Sequence, residues 1–110
     1  MKRLALLAIL LGSPALTEEF VPMTGADVLD ALTGSTLLYD SGSWQDFRAS
    51  GRTLYNAGQD SWGYWAVRDD QYCSQWPPSD MWACYDMARA GDVIRFIGQA
   101  GDTTDGRFKD

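Results

Sequence analysis

Histidine is missing from all 110 residues of the chain. Histidine is the usual general base near neutral pH, the common partner of a nucleophilic serine or cysteine, and a ligand in most catalytic zinc sites. The glycines form neither a phosphate-binding loop nor a dinucleotide fingerprint. We therefore predict no catalytic residue, no metal site and no cofactor, and we expect the protein not to be an enzyme.

Long hydrophobic runs are also missing. The run Leu4–Leu11 is far shorter than the roughly 20 residues that a membrane-spanning helix needs. Two basic residues precede it and small residues follow it, which is the pattern of a secretory signal peptide. We predict a signal peptide over residues 1–15, with cleavage after Thr17 or a buried N-terminal helix as the alternatives. A single domain over residues 16–110 would then lie in the periplasm of a Gram-negative bacterium or be secreted.

Basic residues are few. The chain has 9 Lys and Arg against 15 Asp and Glu, and removal of Lys2 and Arg3 with the signal peptide would change the net charge from -6 to -8. Such a surface repels nucleic acid and anionic membranes, so neither is expected as a partner. It would attract a basic protein, although acidity of this size also keeps an exported protein soluble.

Turn signals divide the rest of the chain into short runs rich in aromatic and β-branched residues, at a spacing typical of antiparallel hairpins. Before them, Thr24 and Gly34 are suited to begin and end one short helix. We predict a mainly β fold, an antiparallel meander of seven or eight strands curled into a small barrel with one short N-terminal helix. The expected strands are Thr36–Tyr39, Trp44–Ala49, Arg52–Ala57, Trp62–Val67, Gln71–Trp76, Met81–Ala88, Val93–Ile97 and a weaker Gly106–Lys109.

The two cysteines are predicted to form a disulfide. A four-residue turn at Pro77–Asp80 sets Cys73 opposite Cys84, and directly opposed residues at such a site lie about 4.5 Å apart at Cα. A loop of this length contributes about 3 kcal/mol in the chain-entropy model. We expect the disulfide to be structural and to lie on the outer face.

Alternation along the hairpins assigns the remaining aromatic residues to two faces. Trp62, Tyr64 and Trp82 face outward beside the disulfide, where they would form a binding surface for sugar rings or a partner, unless the helix or a chain end covers them. The expected core aromatics are Trp65, Tyr72, Trp76, Tyr85 and Phe96. We expect them to fill the barrel, because a chain this short gives short strands.

Three further details of the registers follow from the assumed turns. A tight turn at Ser50–Gly51 would place Phe47 and Leu54 on the core face. A four-residue turn at Arg89–Asp92 would pair Met87 with Ile94, and it would form an exposed ion pair between Asp86 and Arg95.

Several short segments together resemble a known family. They are Leu32–Thr36, Gly63–Val67, Tyr72–Trp76, Cys84–Tyr85 and Gly91–Asp92. This set is similar to a family of small exported alphaproteobacterial proteins of unassigned function, over most of the mature chain. The architecture also resembles, at the level of fold, the lipocalin-like barrels of the calycin class, and this resemblance implies a barrel that holds a ligand.

The sequence thus favours an exported, non-catalytic binding module for a small apolar or ring-bearing ligand or an envelope glycan. The alternative is a role in protein–protein interaction, such as inhibition of a basic exported enzyme of the lysozyme type. A structural role without any ligand also remains open.

Overall fold

The computed structural model describes residues 19–109, so the predicted signal peptide and its cleavage site lie outside the described residues. The described part of the chain forms one helix, α1 (Gly25–Leu32), and nine β-strands. The strands are β1 (Val21–Pro22), β2 (Thr36–Tyr39), β3 (Trp44–Phe47), β4 (Arg52–Asn56), β5 (Asp60–Arg68), β6 (Gln71–Gln75), β7 (Trp82–Ala90), β8 (Val93–Ile97) and β9 (Thr103–Phe108).

Strands β2 to β9 close into an eight-stranded antiparallel barrel in which each strand pairs with the next along the chain. The pairing of β2 with β9 closes the ring and sets Tyr39 opposite Gly106. Strand β1 stands outside the ring and pairs with the last part of β7. The predicted fold, a small antiparallel barrel with one short N-terminal helix, is confirmed.

The predicted register around the cysteines is also confirmed. Val67 lies opposite Tyr72 in the β5–β6 pair, and Cys73 lies opposite Cys84 in the β6–β7 pair. The two cysteines are joined by a disulfide with their Cα atoms 4.0 Å apart. Cys73 is fully buried even though its position faces outward.

The predicted register of the β7–β8 hairpin is wrong by two residues. Met87 lies opposite Phe96 rather than Ile94, because β7 extends to Ala90 and the turn contains only Gly91 and Asp92. Gly91 adopts a φ of 61°, which two-residue hairpin turns require. A shift by an even number of residues keeps every side chain on its predicted face.

The same shift changes the expected ion pair. Arg95 lies between Ala88 of β7 and Asp105 of β9, so it does not meet Asp86. Its guanidinium donates two hydrogen bonds to the Asp105 carboxylate, at 2.8 and 2.9 Å. Strand β9 begins at Thr103, earlier than expected, and this places Asp105 within reach.

The expectation that Leu54 faces the core is wrong. Arg48 and Arg52 pair across a three-residue turn at 49–51, one residue longer than the tight turn assumed from the sequence. One additional residue reverses the alternation of β4, so Thr53 points inward and Leu54 lies opposite Trp62 on the outer face. Phe47 faces the core as expected and is fully buried.

Helix α1 covers one end of the barrel, which we call the closed end. This end carries the β3–β4, β5–β6 and β7–β8 turns, and the other four connections lie at the opposite, open end. A capping box formed by Thr24 and Asp27 begins the helix, and the Gly25 amide donates to Asp70 in the β5–β6 turn at 2.6 Å. Val28 and Leu32 are fully buried in the core. In the described part of the chain, no helix is long and apolar enough to cross a membrane.

Candidate functional site

The half of the barrel toward the open end is hollow. It contains a cavity of about 440 Å³, so the expectation of a filled interior is correct only for the closed half. In the closed half, Phe47 and Trp65 pack with Val28 and Leu32 of α1 into one core cluster. In the open half, many lining positions carry polar side chains, and all but Gln45 are the short side chains of serine or threonine. These polar lining residues are Ser41, Ser43, Gln45, Ser61, Ser74 and Thr104.

Aromatic rings form the walls of the cavity. Neighbouring rings contact one another around the barrel, with centroid separations of 5.2 Å for Tyr72 and Phe96 and 6.2 Å for Tyr55 and Trp76. Edge and tilted contacts of this kind hold the rings in fixed orientations. The aromatic lining residues are Tyr39, Tyr55, Tyr72, Trp76, Tyr85 and Phe96.

A hydrogen-bonded network around Gln45 forms the floor of the cavity. The Thr53 hydroxyl donates its proton to the Asp46 carbonyl at 2.6 Å, so its oxygen accepts from the Gln45 amide nitrogen at 2.9 Å. The same nitrogen donates to the Tyr72 hydroxyl at 3.2 Å, and the Tyr39 hydroxyl donates to the Gln45 carbonyl oxygen at 2.7 Å. The network satisfies the buried amide and fixes both tyrosine rings.

The lining carries no formal charge near neutral pH. None of its residues is Asp, Glu, Lys or Arg. Burial raises the pKa of Tyr72 to about 12, although hydrogen bonds from Ser74 and Gln45 oppose part of that rise. Burial also raises the pKa of Tyr39. Since both hydroxyls stay protonated, the cavity presents neutral hydrogen-bonding groups between aromatic faces.

All five expected core aromatics point into the barrel, at different depths. Trp65 is buried in the closed half, where its indole N–H donates to the Arg48 carbonyl at 2.9 Å. Tyr72 and Phe96 are buried between the two halves. The remaining two, Trp76 and Tyr85, are partly exposed on the cavity wall.

The outward-facing aromatics that the sequence singles out lie away from the cavity. Trp62 is 37% and Tyr64 is 44% exposed. The guanidinium groups of Arg48 and Arg52 lie 4.7 and 4.4 Å from the centre of the Trp62 ring. Arg68 lies 4.3 Å from the Trp82 ring in the same way. These cation–π contacts occupy ring faces that a sugar would otherwise need for stacking.

The cavity residues that the sequence did not reveal include Tyr39, Gln45, Tyr55 and Thr104. Tyr39 on β2 and Thr104 on β9 line the same cavity because these two strands close the barrel, and that pairing joins distant parts of the chain. The turn length assumed between β3 and β4 assigns Tyr55 to the outer face, because it reverses the alternation of β4. Gln45 stands two residues before Phe47 on β3, and this spacing is the one local signal that it faces inward.

Two other kinds of site are relevant in the described chain, a metal site and a second cavity. Within residues 19–109, no three Asp, Glu, Cys or His side chains come together in a way that could hold a metal ion. A second cavity of about 420 Å³ lies outside the barrel, between β1, α1 and the end of β7. Three of its seven lining residues are charged, namely Asp27, Asp30 and Arg89.

No protein-family model, curated protein or solved structure matches the chain. The function is therefore inferred from the cavity and its lining.

Proposed function

We propose that the protein is an exported, non-catalytic binding module that holds a small ring-bearing molecule in the open half of its barrel. The observation that carries this proposal is the cavity of about 440 Å³ with aromatic walls. Its size lies within the range of about 300–1,000 Å³ that is typical of small-molecule sites. Export rests on the signal-peptide pattern of residues 1–15 and on the disulfide, which is typical of oxidising compartments.

The lining chemistry supports binding rather than catalysis. A general base must exchange a proton near the working pH. Burial raises the pKa of the Tyr39 and Tyr72 hydroxyls further above that range. The aromatic faces contribute contact area, while Ser61, Ser74 and Thr104 offer hydroxyl groups for orientation. One or two rings with a few polar substituents fit this lining, and so does a single unit of an envelope glycan.

The first experiment uses the neutral fluorescent probe N-phenyl-1-naphthylamine, whose emission rises in an apolar site. We expect saturable binding to the wild type. Ser61→Trp places an indole at the cavity mouth and should weaken binding at least about ten-fold, a loss of about 1.4 kcal/mol. Trp62→Ser changes the adjacent, outward-facing residue and should leave the affinity unchanged.

The two variants separate the cavity from the outer surface. Binding that survives Ser61→Trp but is lost in Trp62→Ser would move the site to the outer aromatic residues. A complete lack of binding by this probe and by single-ring sugars would contradict the proposal. Unfolding curves of both variants serve as the check that each protein is folded.

A second candidate function is interaction with a basic exported protein. The β6–β7 connection at the open end exposes Met81 to 74% beside two prolines, which is an apolar contact surface on an acidic protein. Binding to lysozyme that persists at about 0.5 M salt would support a specific interface, since that salt screens contacts driven by net charge alone. Binding lost at that salt would reject it.

A further inference from the structure

The open end of the barrel carries acidic residues without any basic residue among them. Its four connections are 40–43, 57–59, 76–81 and 98–102, and none contains Lys or Arg. Each contains or directly precedes one exposed aspartate. These rim aspartates are Asp40, Asp60, Asp80 and Asp102.

The rim aspartates lie in or next to connections that also carry or adjoin lining residues of the cavity. Asp40 and Asp60 each directly precede a lining serine, Ser41 and Ser61. Asp80 lies in the connection that begins with Trp76 of the wall. The end of the barrel at which the cavity opens therefore carries negative charge from four different connections.

The basic residues of the described chain lie elsewhere. Arg95 is in the middle of β8 and is paired with Asp105. The other six are near the turns and strand ends of the closed end, where Arg107 contacts Asp92 at 3.0 Å. These six are Arg48, Arg52, Arg68, Arg89, Arg107 and Lys109.

The interior of the cavity is suited to a desolvated organic cation. The faces of aromatic rings carry negative potential, and a cage of several rings is a recurrent way of binding quaternary ammonium groups. The lining offers no cation that would oppose such a ligand and no carboxylate that would itself need desolvation. An anion would meet unfavourable charge at the rim and unfavourable ring faces inside.

We infer that the cavity takes small organic cations, with the positive nitrogen carried on a ring or bearing alkyl groups, and rejects anions. This inference rests on the proposed function, because it names the charge of the ligand that the same cavity binds. The aromatic cavity is the binding site, and the rim aspartates select what enters it.

Three probes of nearly the same shape test the inference by competition with N-phenyl-1-naphthylamine. They are the N-methyl-4-phenylpyridinium cation, the neutral 4-methylbiphenyl and the anion biphenyl-4-carboxylate. In the wild type at low ionic strength we expect the cation to bind at least about ten-fold more tightly than the anion. That preference should shrink in salt, because the rim is exposed.

Two variants with the same net charge locate the effect. The rim variant combines Asp40→Asn, Asp60→Asn, Asp80→Asn and Asp102→Asn. The control variant combines Asp30→Asn, Asp69→Asn, Asp86→Asn and Asp92→Asn, which are exposed positions away from the open end. We expect the rim variant to bind the cation about ten-fold less tightly and the control variant to change its affinity less than about two-fold.

The outcomes distinguish a failure of the charge selection from a failure of the proposed binding function. Equal affinity of the wild type for cation and anion would overturn the charge selection and leave the binding function intact, as long as the neutral probe binds. Equal losses in both variants would overturn it too, because net charge rather than the rim would then be responsible. If none of the probes enters the cavity, the proposed function fails.

Discussion

The indole ring of Trp76 lies directly over the α-carbon of Gly63. A Cβ atom added at Gly63 would come within 2.6 Å of the Trp76 ring and of the Gln75 carbonyl oxygen. From this position the Trp76 indole N–H donates to the Ser74 hydroxyl at 3.2 Å, and its ring contacts Tyr55. A residue without a side chain on β5 thus determines where one wall of the cavity stands.

Substitution of Gly63 by alanine should therefore destabilise the protein and move Trp76. We expect Gly63→Ala to lower the free energy of unfolding by about 1–3 kcal/mol, as overpacking does in a close-packed interior. Urea unfolding measures this loss. In a Trp76→Phe background the smaller ring gives way, so the same substitution should cost less. An equal cost in both backgrounds would instead assign the effect to the Gln75 backbone.

Alkaline pH should destabilise the protein through its buried tyrosines. The unfolded chain ionises tyrosine near pH 10, whereas Tyr72 in the fold has a pKa of about 12. The free energy of unfolding should therefore be unaffected by Tyr72 below about pH 10 and fall between about pH 10 and 12, by up to about 1.4 kcal/mol per pH unit. Tyr39 acts in the same direction.

Urea midpoints measured across that pH range, in wild type and in Tyr72→Phe, test this expectation. The variant lacks the Tyr72 hydroxyl, so its stability should fall less steeply as the pH rises. Identical slopes in the two proteins would show that Tyr72 does not titrate with unfolding.

Helix α1 should contribute to stability through one face only. Leu32 is fully buried in the core of the closed end, whereas Leu29 on the same helix is 52% exposed. We expect Leu32→Ala to cost about 2–5 kcal/mol and Leu29→Ala less than about 0.5 kcal/mol, as measured by thermal or urea unfolding. Both substitutions change helix propensity equally, so the difference reports burial. Similar costs would contradict the packing of α1 against the barrel.

Local turn chemistry explains which parts of the fold could be predicted from the sequence. The hairpin that joins Cys73 to Cys84 has a turn marked by two prolines, and its register was predicted correctly. The turn at Gly91 carries a weaker signal because several turn lengths suit the same residues, and there the register was wrong by two. A register error of two residues leaves every side chain on its predicted face. The single additional residue in the turn before Arg52 instead exchanges the inward-facing and outward-facing side chains of β4.

The cavity could not be predicted for two physical reasons. The residues that β2 and β9 contribute to it depend on the register of their pairing, and no local pattern specifies the register between strands so far apart in the chain. The depth of the cavity depends on short side chains such as Ser61 and Ser74 recurring at one level of the barrel. That coincidence becomes visible only once every register is known.

Both ends of the described chain emerge at the closed end, because β1 pairs beside the β7–β8 turn and β9 finishes there. Phe20 is held beneath the Arg95 guanidinium, 3.8 Å from its ring centre, and so anchors the leading segment to the outside of the barrel. A tether, reporter or solid support attached through either end would thus leave the mouth facing the solution. The barrel can therefore be immobilised through its closed end without covering the opening of the cavity.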